Sequence, residues 1–366
     1  MVETKGCDRL ERFECATRIL SGPGSVSQLS RMPLGRLLLV TDPYFRESGT
    51  AEKIATSAQC AAWELFSKIS PDPTVDLAAK GAAAVRSFRP DTVVALGGGS
   101  AMDCAKAMAY FSGLSPRLIA IPTTSGSGSE VTDFSVLTHE GVKHPLVDPK
   151  LRPELAIIDP ELVTKLPPAL IADGGFDVLT HALEAYGSKN AGPYTDALAE
   201  AAFRTTLQDL PASFSGDQGA RARIHTAATM AGLAFTNAGL GLCHALSHSL
   251  GGHFHLPHGR LNAILLPAVL ARGGTPKYAQ LARASGLEGK ADTVALRNLR
   301  NALIRLRREL HLPATLAEAG VAPSEVRKNA DGIVSAALSD PCAATDPLDP
   351  TPALLQNILT EVTGHG

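Results

Sequence analysis

Residues 97–107 read GGGSAMDCAKA and follow an apolar run, residues 91–96 (DTVVAL), and they lead into a helical pattern over residues 101–111. A strand, a glycine turn and a helix in that order suit an anionic ligand. Gly97, Gly98 and Gly99 let backbone approach a phosphate closely, and the helix start beyond them offers free N–H groups and a positive dipole end. This is dinucleotide-site chemistry without the G-x-G-x-x-G fingerprint, and a plain tight turn is the alternative reading. A second small, polar loop, residues 122–130 (PTTSGSGSE), follows the next apolar run. Two such loops at one sheet edge predict a joint ligand site, against the alternative of a solvated loop. Asp42 ends another apolar run, where an acid can bond an adenosine ribose and repel a 2′-phosphate. That favours NAD over NADP, and a turn acid before Pro43 is the rival reading.

Outward from these loops, residues 36–41 (RLLLVT), 61–66, 91–96 and 117–121 (RLIAI) are expected strands, with 155–158 a candidate edge strand. Residues 75–87 and 101–111 are expected helices between them. The alternation predicts a parallel sheet covered on both faces, which binds ligands beyond the carboxyl ends of its strands. Gly22-Pro23-Gly24 reads as a turn. After Pro167-Pro168 the texture changes to helical segments only: residues 171–186, 195–210, 220–236, 243–250, 261–271 and 291–310. The expectation is an α/β domain over residues 1–166 and an all-α domain over residues 167–366.

Composition narrows the function classes. With 34 Lys plus Arg against 36 Asp plus Glu, the formal net charge is −2, so nucleic acid is not an expected partner. Arg305, Arg307 and Arg308 read as a solvated helix face. The N-terminal stretch lacks the apolar segment of a secretory signal, and no apolar run is long enough to span a bilayer. Six scattered cysteines without a C-x-x-C pair fit reduced thiols in a cytoplasmic protein. Cys243, beside His244, is expected to be a buried core thiol rather than a ligand.

Asp177 and His181 stand four residues apart in a helical pattern and so share a face, and His244 and His248 repeat the spacing. His258 follows, and five of the chain's eleven histidines fall between His244 and His258. One carboxylate with three imidazoles suits Fe²⁺ or Zn²⁺. Buried structural histidines are the alternative.

Four stretches together, GGGSAMDCAKA (97–107), PTTSGSGSEVT (122–132), DVLTHALEAY (177–186) and HALSHSLGGHFHLPHG (244–259), resemble the iron-containing (group III) alcohol dehydrogenases. The resemblance runs from about residue 17 to the last helix, and the wording around residues 240–259 is most similar to the microcompartment-associated propanol dehydrogenase branch. It implies a Rossmann-like N-terminal domain, an all-helical C-terminal domain and a cleft between them. It implies Asp177, His181, His244 and His258 as metal ligands, with His248 close by as a proton shuttle. Gly98, Gly99 and Ser100 would meet the pyrophosphate, with Thr123, Thr124 and Thr132 adding contacts. Asp42, Lys143 and Leu162 would line the nucleotide site, and Asp103 and Lys106 fit the motif as contacts or as turn supports. The implied activity is NAD-linked interconversion of small primary alcohols and aldehydes by a homodimer or larger assembly. The implied setting is the cytoplasm, or a microcompartment beside an aldehyde-producing enzyme.

Arg260 either aims at an anionic substrate group or faces solvent, and residues 1–17 are either a docking segment or disordered. Three rivals share parts of the pattern. A dehydroquinate-synthase-like cyclase would need a Lys and Arg cluster at the metal. A metallohydrolase would have no use for the two glycine loops. A non-catalytic shell-associated binding protein would not need the intact ligand set.

Overall fold

A computed structural model describes residues 12–139 and 142–364. Six parallel strands form one sheet: β1 (Arg18–Ser21), β2 (Arg36–Thr41), β3 (Ala62–Phe66), β4 (Thr92–Gly97), β5 (Arg117–Pro122) and β8 (Leu155–Ile158). Their order across the sheet is β1-β8-β5-β4-β2-β3. Leu37 to Val40 of β2 are buried without alternation, because helices cover both faces. The expectation for residues 155–158 needs correction. They form a strand, but β8 lies inside the sheet, paired with β1 on one side and β5 on the other. The edge is β1, which the sequence reading passed over; its four residues are mostly exposed and carry no alternation. A separate antiparallel hairpin, β6 (Phe134–His139) and β7 (Val142–Val147), was also not anticipated.

Helices α1 (Pro43–Glu47), α2 (Thr50–Ser57), α3 (Val75–Phe88) and α4 (Gly99–Ser112) belong to this half. Thr74 caps α3 by accepting from the Leu77 N–H at 3.1 Å, and α3 ends on Arg89 in the left-handed region. From Pro168 onward every regular element is helical: α5 (Pro168–Gly187), α6 (Pro193–Phe214), α7 (Gln218–Ala238), α8 (Leu242–Phe254) and α9 (His258–Leu270). These are followed by α10 (Pro276–Ala284), α11 (Asp292–Glu309), α12 (Pro323–Ser339), α13 (Pro341–Thr345) and α14 (Pro352–Thr363). Pro168 occupies the first turn of α5, where its missing N–H costs nothing. One continuous apolar cluster joins α5 to α14 and includes Phe176, Phe203 and Leu266. Arg305 and Arg308 are exposed as expected, whereas Arg307 folds back to donate to the Ala263 carbonyl at 3.2 Å. No described helix is long and apolar enough to cross a membrane.

The sheet half and the helical half meet along one face of α7. His225, Thr229, Gly232 and Thr236 stand at i, i+4, i+7 and i+11 and so line up. His225 Nδ1 is 3.0 Å from Ser125 Oγ, Thr229 donates to Glu130 at 2.6 Å, and Thr236 donates to Asp133 at 3.2 Å. The next residue, Asn237, exchanges two hydrogen bonds with the Glu14 backbone, and Arg152 pairs with both Glu14 and Asp133. Residues 12–17 are therefore a tied-down strap across both halves, which corrects the expectation of disorder for that part. The rest of the 1–17 extension lies outside the described residues.

Gly232 is where backbone meets backbone: a Cβ there would lie 2.8 Å from the Gly128 carbonyl oxygen and 3.0 Å from its Cα. Alanine would gain about 1 kcal/mol of helix propensity. The clash falls on backbone pinned on either side by the Thr229 and Thr236 hydrogen bonds, and overpacking of that kind costs about 1–3 kcal/mol. Gly232→Ala is expected to lower stability by a net of about 1 kcal/mol in urea unfolding; an unchanged or raised midpoint would show that the seam yields freely.

Candidate metal and cofactor site

The chain reverses direction across the sheet between β2 and β4, because β2 is followed by β3 on one side while β4 lies on the other. Such switch points open a crevice at the carboxyl ends of the strands. Asp42 follows β2 and the glycine turn ends β4, in register at Thr41 and Leu96. A Cβ on Gly97, whose φ is +154°, would sit 3.5 Å from the Asp42 carboxylate. Gly98 begins α4 with no side-chain cap. The second loop closes over this helix start: a Cβ on Gly98 would be 3.1 Å from Thr124 Oγ1, and one on Gly99 3.2 Å from Ser127. An uncapped helix start under a hydroxyl-bearing loop fits a pyrophosphate. Asp42 is raised by burial, is opposed by backbone N–H groups, and accepts from Phe45 N at 3.2 Å.

Two of the expected cofactor residues have other partners. Asp103 is partly buried, and its carboxylate accepts from Ser129 Oγ at 2.7 Å and Val136 N at 3.2 Å. Thr132 places Oγ1 at 3.2 Å from Lys106 Nζ. Lys106 itself donates to Ser129 Oγ (2.9 Å), the Thr132 carbonyl (3.0 Å) and the Phe134 carbonyl (2.8 Å). Burial pulls this ammonium down to about 8 against the pull of Asp103 and Glu130. The three groups thus fasten the loop to α4. Thr123 is buried at the loop's start, and Ser100 sits half-buried in the first turn of α4. Lys143, on β7, pairs with Asp72 at 2.8 Å and lies close to Gly251 of α8, so it spans the cleft. Leu162 packs under the sheet beyond β8.

The structure brings Asp177, His181, His244 and His258 together, their donor atoms all within 4.8 Å of one another. Asp177 Oδ1 is the hub, 3.7 Å from His181 Nε2, 3.7 Å from His244 Nε2 and 3.5 Å from His258 Nε2. These distances are too long for hydrogen bonds. They match the roughly 3.3–3.6 Å ligand-to-ligand edge of a tetrahedral site with arms of about 2.0–2.2 Å. The nitrogen and oxygen donor set fits a ferrous or zinc ion. Burial lowers His181 to about 3 and holds His258 well below the usual range, so both present free lone pairs. Burial also disfavours charge on Asp177 and His244, but the surrounding rings hold Asp177 well below the usual carboxylate range. Glu184 and Asp177 raise His244 to about 9. Gly126 of the second loop packs against this cluster, since a Cβ there would be 3.3 Å from Asp177 Oδ2. The second glycine loop and the candidate metal cluster are therefore in contact.

Residues that the sequence reading missed hold this arrangement. Glu184 accepts from His244 Nδ1 at 2.6 Å, which leaves Nε2 free to face Asp177. Asn262 donates to Asp177 Oδ1 at 2.9 Å and accepts from Ser247 through Oδ1. Asp340 lies 2.8 Å from His248 Nδ1. Glu184 stands seven residues after Asp177, on the same helix face, and that spacing was the available signal. Asn262 and Asp340 had none. Of the five clustered histidines, His253 and His255 stay out of the site. His253 bonds its own helix at Ser249, and His255 ends α8 in the left-handed region. Cys243 is fully buried, with its thiol raised by burial, as expected of a core residue. Arg260 is partly exposed but is held by a partner rather than standing free in solvent. It forms a two-pronged pair with Asp173 at 3.2 and 3.0 Å.

Two buried carboxylates share the start of α8. Glu184 accepts from Gly241 N and Cys243 N, and Asp346 accepts from Leu242 N at 2.7 Å and Leu348 N at 2.8 Å. Burial first, and then Glu184, raises Asp346 to about 6. An acid raised in the folded state binds more protons than the unfolded chain between its two pKa values, so this pair loses stability as pH rises from about 4 through 6. Asp346→Asn removes that titration. Relative to wild type the variant should gain about 2–3 kcal/mol between pH 4 and pH 7.5 in urea unfolding. A pH-independent difference would place the titration elsewhere.

The family described as iron-containing alcohol dehydrogenase matches residues 16–160, and the C-terminal part of the Fe-containing alcohol dehydrogenase family matches residues 171–363. A 1-propanol dehydrogenase of Citrobacter freundii is 41% identical, covering 96% of this chain and 100% of that protein. A solved 1,3-propanediol oxidoreductase superposes with a TM-score of 0.89 at 31% identity, covering 97% of this chain and 100% of that one. A sulfoacetaldehyde reductase from Bifidobacterium kashiwanohense, solved with NAD⁺, gives 0.85 at 27% identity, covering 98% and 100%. Both halves of the sequence and the whole fold thus lead to one answer: the chain belongs to the iron-containing alcohol dehydrogenase family, whose members use NAD(H) and iron, and it is a metal-dependent alcohol dehydrogenase.

Proposed function

We propose that the protein interconverts a small neutral primary alcohol and its aldehyde, propanol and propanal first among them, with NAD(H). The observation that carries this reading is the contact between the two sites: Gly126 of the nucleotide loop lies against Asp177, the hub of the histidine cluster. In this reading Asp177, His181, His244 and His258 hold the ferrous or zinc ion. Gly98, Gly99, Ser100, Thr123 and Thr124 bind the pyrophosphate, with Asp42, Lys143 and Leu162 along the nucleotide. The metal would polarise the substrate oxygen as a Lewis acid while the nicotinamide carries the hydride. His248 stacks on His258 at 5.2 Å between ring centres, and Asp340 fixes its Nδ1, leaving Nε2 to pass a proton between substrate and solvent. Asp103, Lys106 and Thr132 act one step back, by fixing the loop.

The full-length likeness to a 1-propanol dehydrogenase supports the neutral substrate, as does the engagement of Arg260 by Asp173. The same likeness supports a homodimer or larger assembly in the cytoplasm, working inside a microcompartment beside an aldehyde-producing enzyme.

The test is NADH oxidation by enzyme reconstituted anaerobically with Fe²⁺ or, separately, Zn²⁺, against propanal, acetaldehyde, lactaldehyde and sulfoacetaldehyde. Metal-dependent turnover with propanal ahead of sulfoacetaldehyde is expected, and a preference for sulfoacetaldehyde would overturn the neutral-substrate reading. His181→Ala should lose both bound metal and turnover. His248→Ala should keep its metal and lose about 10²-fold or more in kcat. Full turnover by His181→Ala, or metal loss in His248→Ala, would reassign those residues.

A further inference from the structure

A cavity of about 580 Å³ opens on the helical half away from the metal cluster. Its wall includes Pro168, Ala169 and Phe214, together with Arg260, Arg308 and His311. At 100° per residue, Pro168, Ala169 and Ala172 of α5 face the opposite way from Gly174, Asp177 and His181. The cavity is therefore separate from the cleft used by the dehydrogenase.

We propose that this cavity binds a small organic anion, a negatively charged head on a short apolar body. Its volume lies within the roughly 300–1,000 Å³ typical of small-molecule sites, and apolar walls with a few polar groups are the usual composition of such sites. The charge is one-sided. Among the described residues the Arg308 guanidinium makes no hydrogen bond or ion pair, and Arg260 spends Nε and Nη2 on Asp173, leaving Nη1 without a partner. The His311 ring has Phe214 beside it, 6.1 Å between centres, and no hydrogen bond. The one acid in the wall, Glu318, already accepts from Ala314 N. Two guanidinium groups with free donors over an apolar floor match a carboxylate or phosphate head on a hydrocarbon body.

The experiment is calorimetric titration of metal-loaded enzyme, saturated with NADH so that the pyrophosphate site is filled. Benzoate and phenyl phosphate are the charged probes and benzamide is the neutral control. One equivalent of at least one charged probe should bind, with benzamide at least about tenfold weaker; which head binds tighter tells carboxylate from phosphate. Arg308→Ala should weaken the charged probe about tenfold or more. Ala169→Trp, at an exposed position on the wall, should abolish binding by filling the space. Both variants should retain wild-type turnover, which reports that they fold. No binding of either anion at millimolar concentration, equal binding of benzamide, or binding unchanged in both variants would overturn the proposal.

Discussion

The Glu184 carboxylate is the constraint on which the catalytic half rests. Its two oxygens accept the Gly241 and Cys243 N–H groups and the Nδ1 proton of His244. One buried acid therefore caps α8, sets the tautomer of the first histidine on that helix, and ties α8 to α5, which carries Asp177 and His181. A carboxylate so deep is tolerable only because its lone pairs are engaged. Gly241 has to be glycine for the same reason, since a Cβ there would meet both Glu184 and Asp346 within 3.0 Å. The order of construction runs from the cap to the helix, and from the helix to the His244 and His248 pair.

The second constraint is the polar seam along α7. Each half has its own apolar clusters, one within the helices and two on the faces of the sheet, and a small one, Val131, Ala156, Ile158 and Leu233, bridges them. Around that bridge the seam is made of hydrogen bonds and close backbone contact: Ser125 with His225, Glu130 with Thr229, Gly128 with Gly232, Asp133 with Thr236. Directional bonds fix register better than apolar contact does, because a buried polar group without its partner is costly. The loop that follows β5 is therefore held from three sides, by α7, by Lys106 of α4, and by α5 at Gly174. A loop held in this way carries its hydroxyls and the Gly126 backbone that lies against Asp177 in one rigid piece, the preorganisation that hydride transfer would require.

The charges in the cleft divide the work. Burial keeps His181 and His258 neutral and ready to donate lone pairs, while the carboxylates around His244 draw a proton onto it when no cation is present. Asp177 stays ionised because three imidazoles surround it. A divalent cation bound there would replace that proton and would satisfy all four groups at once.

The sequence by itself determined the fold class, the strand–glycine–helix turn and the six helices that it proposed, and it singled out four residues that the structure gathers at the candidate metal site. Local periodicity carries most of this: apolar runs mark buried strands, i and i+4 spacing puts Asp177 and His181 on one helix face, and glycines mark close backbone approach, whereas the choice of His258 over His248 is what the family resemblance implies. The tertiary structure alone decided the rest. It placed β8 inside the sheet, where strand neighbours are set by pairing partners far apart in the chain. It turned Asp103 and Thr132 toward Ser129 and Lys106, and Arg260 toward Asp173, because a polar side chain takes the partner that packing brings within hydrogen-bond reach. It also recruited Asn262 and Asp340, which no spacing marks, because support for a metal site is defined by contact across helices and not by distance along the chain.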